Sequence, residues 1–112
     1  MKKETPTVET DEYGAITYRN ADGDKFYYIN GKLHNPDGPA IVWADGDKEH
    51  YINGERHNPH GPAFSDADGH KEHWINGQLH NPHGPAVIRA NGRKSYYING
   101  KRLTEAQFKA WQ

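Results

Sequence analysis

Histidine is the residue type in this sequence best suited to chemistry, because its spacing is repeated. His57 and His60 are separated by two residues, and His80 and His83 have the same spacing within an identical stretch, "HNPHGPA". Imidazole nitrogens grouped in this way can bind zinc, nickel or copper. The pattern raises the hypothesis of a metal site that is built more than once.

A related stretch, "HNPDGPA", argues against a metal site. It holds Asp37 in place of the second histidine, and Tyr27 stands where later copies carry strand histidines, His50 and His73. A histidine beside a tight turn can instead hydrogen-bond the loop. We therefore expect no bound metal and no cofactor, and metal binding by the two complete pairs is the alternative.

No other pattern in the sequence is typical of catalysis. The absence of cysteine excludes disulfides and thiolate nucleophiles. Ser65 and Ser95 have no base at motif spacing, and nothing makes Glu49 and Glu72 an acid–base pair. Every glycine has a turn role, so no phosphate-binding loop is indicated. We expect that the protein is not an enzyme.

The histidine motifs belong to a 23-residue internal repeat. Three full copies align without a gap and share 12 of 23 positions; they are residues 23–45, 46–68 and 69–91. A half repeat, 13–22, precedes them and a partial repeat, 92–103, follows. The sequence therefore predicts one array of repeats over 13–103.

Two glycine-containing dipeptides punctuate each repeat. In the second copy they are Asp45-Gly46 and Asn53-Gly54, and their equivalents recur along the chain. Both favour the type I′ turn of a β-hairpin, and the runs between them, such as "KEHYI", are rich in strand-forming residues. The fold predicted is all-β, an elongated antiparallel array of β-hairpin repeats.

The register counted from these turns decides which side chains share a face. It places Val42 opposite Glu49, and Tyr51 opposite Arg56. One face is then predicted to carry Ala40, Val42, Ala44 and Tyr51, and the other Ile41, His50, Ile52 and His57. Because neither face is purely apolar, a thin sheet fits better than a closed sandwich.

The "NPHGP" segment has the residues of a type I turn, with Asn58 first and Gly61 fourth. The two hairpin turns already reverse the chain twice in each repeat. A third reversal would point successive copies in opposite directions. We therefore expect this segment to be a bend that carries the chain from one hairpin to the next.

The two ends of the chain differ from the repeats. Residues 1–12 are polar and are expected to form a flexible N-terminal tail. Residues 104–112 are expected to form a short capping helix, since Thr104 and Gln107 have the spacing of a capping box. Phe108 and Trp111 would share one side of this helix and cover the last hairpin.

Composition bounds the function. The chain has 112 residues, a mean hydropathy of −1.13 and a formal charge of −1, with acidic and basic residues interspersed. No footprint for a nucleic acid or an anionic membrane is visible. The N-terminus has no apolar run typical of a signal peptide, and no stretch is apolar enough to span a membrane. We expect a cytoplasmic protein.

The repeat resembles a known family. "YINGKLH", "YINGERH" and "WINGQLH", each followed by a glycine and then by a segment such as "ADGDK", are similar to the MORN repeat, although "NPHGPA" is longer than the usual linker. The chain is more similar still to MORN-like repeats of bacteria and tailed phages. The resemblance implies a binding or scaffolding surface with a protein partner. It also implies that the chain is a phage or bacterial interference protein that acts on a host factor.

The repeat positions that vary are the predicted specificity positions. Together with the aromatic column beside them they are Phe26, Glu49 and Glu72; Ile41, Phe64 and Val87; Trp43, Asp66 and Arg89; and Tyr28, Tyr51 and Trp74. The alternative to protein binding is a surface on which aromatic hairpins hold a glycan or a small ligand. Because Tyr13, Ile16 and Tyr18 look like an uncovered edge strand, a homodimer joined near residues 13–20 or through one sheet face is also expected.

Overall fold

The computed structural model describes residues 5–112 and shows an elongated, mostly β molecule of 51 × 34 × 17 Å. The predicted fold class is therefore confirmed. The first strands are β1 Thr7–Thr10, β2 Ile16–Arg19, β3 Lys25–Ile29, β4 Lys32–Leu33, β5 Ile41–Val42, β6 Lys48–Glu49, β7 Tyr51–Ile52 and β8 Glu55–Arg56. The others are β9 Phe64–Ser65, β10 Lys71–Glu72, β11 Trp74–Ile75, β12 Gln78–Leu79, β13 Val87–Ile88, β14 Lys94–Ile98 and β15 Lys101–Leu103, followed by helix α1, Glu105–Trp111.

One antiparallel sheet runs along the whole molecule. Its strand order is β1-β2-β3-β5-β6-β9-β10-β13-β14-β15, with β4 paired to β3. The hairpins β7-β8 and β11-β12 are separate two-stranded ladders. Each full repeat thus adds two strands to the main sheet and one hairpin at its side.

The Asn-Gly turns have the geometry that the sequence predicts. Asn53 and Gly54 have φ values of 52° and 83°, as a type I′ turn requires. Tyr51 pairs with Arg56, so the register predicted for this hairpin is confirmed.

The Asp-Gly turns differ from the prediction. Gly46 has a φ of 97°, but Asp45 is not in the left-handed region. Trp43 N donates to Asp47 O and Gly46 N donates to Trp43 O, which closes a three-residue loop of the type that ends in a glycine bulge.

The longer loop shifts the register by one residue. Ile41 pairs with Glu49, and Val42 pairs with Lys48. The predicted pairing of Val42 with Glu49 is therefore wrong. The predicted faces are therefore wrong for the strand before the turn: Ile41, and not Val42, shares the face of Glu49, because a slip of one residue moves a side chain to the other face of a sheet.

The "NPHGP" segment is a bend, as predicted. The side chain of Asn58 closes it: its Nδ2 donates to Pro62 O, and its Oδ1 accepts from His60 N. Strand β9 is antiparallel to β6, and β8 is antiparallel to β7, the continuation of β6. The chain thus enters and leaves the bend in the same direction.

The N-terminal segment contains a strand that the sequence did not indicate. Thr7–Thr10 pairs with β2 along its length, so the expectation of a flexible tail over 1–12 fails for these residues, while residues 1–4 lie outside the described part. Asp11 Oδ1 accepts from Tyr13 N and Ala15 N, and this turn returns the chain. Consequently β2 is not the uncovered edge that was expected near residues 13–20.

The C-terminal helix is capped as predicted. Thr104 Oγ1 accepts from Gln107 N at 3.1 Å, and Thr104 N donates to Gln107 Oε1 at 2.8 Å. Phe108 is buried with its ring centroid 4.7 Å from that of Tyr96. Trp111 contacts Phe108 but remains 50% exposed. Within residues 5–112 no helix has the length and hydropathy that a membrane span requires.

Candidate interaction face

A single row of paired residues crosses the main sheet. Its members follow one another as Phe26, Ile41, Glu49, Phe64, Glu72, Val87 and Ser95. The row contains two of the variable sets predicted from the sequence. The corrected register is the reason, since residues expected on opposite faces prove to be direct cross-strand neighbours.

Arg56 is the centre of a cluster on this face. Its guanidinium carbon lies 5.4 Å from the ring centroids of both Phe64 and Trp74, and 6.0 Å from that of Tyr51. These distances are typical of cation–π contacts. The side chain is 30% exposed, so the cluster lies at the surface of the sheet.

Glu49 is the buried anion of the cluster, with 6% of its surface exposed. Its carboxylate accepts from Trp43 Nε1 at 2.7 Å, from Tyr51 OH at 3.0 Å and from Arg56 Nη2 at 2.9 Å. Three donors and a positive charge compensate the removal of this carboxylate from water.

Glu72 is a second carboxylate, which belongs to the next repeat. It accepts from Trp74 Nε1 at 2.8 Å, bonds His70 Nε2 at 2.8 Å and lies 3.4 Å from Arg56 Nη1. Burial raises the pKa of Glu72, but the bonds from His70 and Trp74 and the charge of Arg56 outweigh it, so the pKa lies below its ordinary value. Arg56 therefore links two consecutive repeats.

Tyr51 and Arg56 are held in their ordinary protonation states. Burial raises the pKa of the Tyr51 hydroxyl, and the charge on Glu49 adds to this, while Arg56 opposes it. Burial lowers the pKa of Arg56, but the bonds to Tyr51 and Glu49 more than reverse that effect. The neutral Tyr51 hydroxyl thus lies between two charged groups, the Glu49 carboxylate and the Arg56 guanidinium.

The structure divides the predicted binding residues. It brings Trp43, Glu49, Tyr51, Phe64, Glu72 and Trp74 together around Arg56. Phe26 packs edge-on against Trp43 at 5.6 Å and extends the aromatic surface towards β2.

The remaining predicted residues lie elsewhere. Ile41 and Val87 are each only 5% exposed, so they support the row from within and offer no surface to a partner. Asp66 and Arg89 lie in the loops that contain Asp68-Gly69 and Asn91-Gly92, at one end of the strands. Tyr28 pairs with Leu33 between β3 and β4.

Sequence reasoning missed the two residues that organise the face. From the sequence, Arg56 is named only as the residue opposite Tyr51, and His70 is not named. A signal was present, because among the three full repeats Arg56 interrupts a column that otherwise holds Leu33 and Leu79. An arginine in an apolar column beside two glutamates indicates a compensated charge.

The first histidines of the repeated stretches have a structural role. His34 Nδ1 accepts from Asn53 N, His57 Nδ1 from Asn76 N and His80 Nδ1 from Asn99 N, each at 2.9 Å. Each ring thus joins one repeat to the turn of the next. Within residues 5–112, no group of three or more His, Cys, Asp or Glu side chains could hold a metal ion.

The strand histidines are half-buried on another part of the fold. Burial lowers the pKa of His50 and of His73, assisted by the charges of Lys48 and Lys71, while hydrogen bonds to the backbone of Gly38 and Gly61 act against it. His50 pairs with His57 by a backbone bond, but the two rings have separate hydrogen-bond partners.

The aromatic faces around Arg56 are already occupied. A cage that bound an external cation would need open ring faces, and here the guanidinium fills that place.

Comparison of the chain with protein family models, with curated proteins and with solved structures finds no match.

Proposed function

We propose that this protein is a non-enzymatic β-hairpin repeat scaffold that binds a protein partner through the face around Arg56. The observation that carries the proposal is the cluster itself. Tryptophan, tyrosine and arginine are the side chains most enriched in the energetic centres of protein interfaces. Here Trp43, Trp74, Tyr51 and Arg56 are partly exposed and fixed in place by hydrogen bonds.

Rigidity supports the same function. A side chain that is ordered before binding loses little conformational entropy when a partner covers it. The indole N–H groups of Trp43 and Trp74 are bonded to Glu49 and Glu72, so neither donor needs a hydrogen-bond acceptor from the partner. The face would therefore act as a preformed, largely apolar patch with compensated charges.

The resemblance to MORN-like repeats of bacteria and phages points in the same direction. Arrays of that kind serve as binding surfaces, and a phage or bacterial protein that captures a host factor inside the cell is the form of the proposal that the resemblance favours. The rival, a surface for glycans or small ligands, has less support because Arg56 fills the ring faces.

Substitutions taken from equivalent repeat positions test the proposal, and circular dichroism melts show whether each variant is folded. Trp43→Asp copies Asp66, and Trp74→Tyr copies Tyr51. Lys32→Gln copies Gln78 in the exposed side hairpins and is the control. The untagged intact chain and the three variants would be used for affinity capture from the producing cell, with mass spectrometry of the bound proteins.

The expected result is one reproducible protein partner, held by the intact chain and by Lys32→Gln. Each tryptophan variant should weaken its affinity about tenfold, as the loss of a central interface residue does. Equal capture by all four proteins would place the contact elsewhere. A chain that captures no protein would contradict the proposed function.

A further inference from the structure

The last repeat carries the donors of the Glu49 site without its carboxylate. Glu49, Glu72 and Ser95 occupy the same repeat position, so the series of two glutamates ends in a serine. The position of Arg56, which reads Leu33, Arg56, Leu79 along the chain, holds arginine again at Arg102.

All three donors to Glu49 have counterparts 46 residues later. Trp43, Tyr51 and Arg56 bond the Glu49 carboxylate. The equivalent positions hold Arg89, Tyr97 and Arg102, each of which also ends in an N–H or O–H donor.

The strand pairings of these residues are the same in both repeats. Tyr51 pairs with Arg56, and Tyr97 pairs with Arg102. Ile41 pairs with Glu49 in the cross-sheet row, and Val87 pairs with Ser95. The donor set is therefore repeated in register, and the acceptor is the part that is missing.

A cavity of about 340 Å³ lies where the missing acceptor would be. It is lined by Arg89, Arg93, Lys94, Ser95, Tyr97 and Arg102. Among the ion pairs within residues 5–112, none involves any of its four cations. The sequence between Glu72 and Glu105 also contains no Asp or Glu. Glu105 lies three residues after Arg102 and lines a separate cavity with Lys94, Ser95 and Arg102.

We propose that this cavity binds a small ligand through a di- or triphosphate group. A carboxylate would satisfy the donors as Glu49 does at the equivalent place, where Arg56 is the one arginine bonded to it. Three arginines and one lysine line the cavity, so a single negative charge would leave most of their charge uncompensated. One guanidinium group can donate two parallel hydrogen bonds to phosphate oxygens, and a diphosphate offers several negative charges in a small volume.

A nucleic acid fits the arrangement less well. Its phosphates are spread along a strand and are matched by cations spread along a groove. Here four cationic residues line one cavity at one end of the sheet, whereas around Arg56 two consecutive earlier repeats supply the carboxylates Glu49 and Glu72. The site is independent of the protein-binding face proposed above.

Titration calorimetry of the intact chain with pyrophosphate, at roughly physiological salt, tests the proposal. Ser95→Glu restores the glutamate of Glu49 and Glu72, and Arg102→Leu restores the leucine of Leu33 and Leu79. Lys71→Gln, which removes a charge from the position equivalent to Lys94 in an earlier repeat, is the control. Parallel titrations use inorganic phosphate, glutamate and a short single-stranded oligonucleotide.

We expect one pyrophosphate per chain, bound at least about tenfold more tightly than glutamate. Ser95→Glu and Arg102→Leu should each weaken binding about tenfold or more, and Lys71→Gln by less than about twofold. Circular dichroism melts show whether each variant is folded. If Arg102→Leu is not folded, Ser95→Glu alone tests the proposal, because the new carboxylate of Ser95→Glu meets donors that are already in place.

Three results would overturn the proposal. The first is an absence of pyrophosphate binding by the folded intact chain at millimolar concentration. The second is undiminished binding by folded Ser95→Glu. The third is an oligonucleotide that binds more tightly than pyrophosphate and loses affinity equally in Lys71→Gln, which would indicate a dispersed nucleic-acid surface.

Discussion

At the scale of single residues, the two histidines of "HNPHGPA" have different roles. His57 Nδ1 bonds the backbone N–H of Asn76 in the next repeat, whereas the His60 side chain is exposed. His57→Ala should lower the free energy of unfolding by about 1 kcal/mol, because one hydrogen bond between repeats is lost at a partly solvated site. His60→Ala should change it by less than about 0.5 kcal/mol. Urea denaturation of both variants measures the difference, and equal effects would remove the distinction.

Arg56 is expected to contribute more to stability than an exposed arginine. Arg56→Ala leaves the buried Glu49 carboxylate without its countercharge and should cost about 2 kcal/mol, less than a fully buried pair because Arg56 is 30% exposed. Arg19→Ala removes a surface pair with Glu9 and should cost below about 1 kcal/mol. Adding Glu49→Gln to Arg56→Ala should recover part of the loss. A double variant whose loss is the sum of the two single losses would show that the pair is uncoupled.

The strand histidines give stability a dependence on pH. Burial holds the pKa values of His50 and His73 below the ordinary 6.5, so the unfolded chain takes up protons more readily than the folded one. Their contribution is present above pH 6.5 and is lost as the pH falls through the folded pKa.

Tyrosine is a suitable replacement, because Tyr27 occupies the same position in the first repeat. The double variant His50→Tyr, His73→Tyr should lose less stability than the intact chain between pH 7.5 and pH 5, a range that brackets their ordinary pKa. Urea midpoints at each pH measure this. Parallel curves for the two proteins would assign the pH dependence to other groups.

At the scale of elements, the turns determine the register and therefore the site. Gly46 has a φ of 97° with open space around its Cα, so Gly46→Ala meets only backbone strain and should cost about 1–2 kcal/mol. Gly38 has no positive φ, and a Cβ there would lie 3.8 Å from Asn35 Nδ2, an ordinary contact. Gly38→Ala should therefore be close to neutral. Thermal melts of the two variants compare them directly, and similar losses would contradict the strain argument.

The sequence predicted the elements better than their register. Repeat length, strand runs, the Asn-Gly hairpins, the "NPHGP" bend and the capped helix all follow from local preferences, and the structure contains them. The Asp-Gly loops do not, because Ala44-Asp45-Gly46 is compatible with either a two-residue or a three-residue loop. The choice depends on hydrogen bonds such as Trp43 N to Asp47 O, which appear only in the folded chain.

The same limit explains which parts of the candidate site were found. The variable positions Glu49, Phe64 and Glu72 could be read from the repeat alignment, and they do lie side by side. Their grouping around Arg56 could not be read from it, because one residue of register decides which face each side chain occupies. Strand β1 was missed because "TVET" has only one apolar residue, and an exposed outer strand gives little periodic signal.

At the scale of the whole molecule, stability comes from contacts between neighbouring repeats more than from a core. Within residues 5–112 the buried apolar side chains are few, and three of them are the small Ala40, Ala63 and Ala86. Hydrogen bonds instead recur with the period of the sequence. Gly54 N donates to Leu33 O, Gly77 N to Arg56 O and Gly100 N to Leu79 O, each at 2.8 or 2.9 Å.

Because stability depends on contacts between neighbouring repeats, the number of repeats can change, but only by whole repeats. Deleting residues 46–68 removes one whole repeat, so His34 and Leu33 would meet Asn76 and Gly77 at the offset they have now to Asn53 and Gly54. The shortened chain should fold cooperatively, with a lower urea midpoint and an m-value smaller by about one fifth, in proportion to length.

Deleting residues 46–56 is the matched control. It removes the hairpin but keeps "HNPHGPAF" directly after Asp45, which breaks the alternation of turns and points the next strand in the wrong direction. This chain should lose cooperative unfolding, although it is longer than the first. Circular dichroism and urea titration of both deletions decide the matter. Cooperative folding of the control, or failure of the whole-repeat deletion, would show that the array is stabilised by something other than contacts at the repeat period.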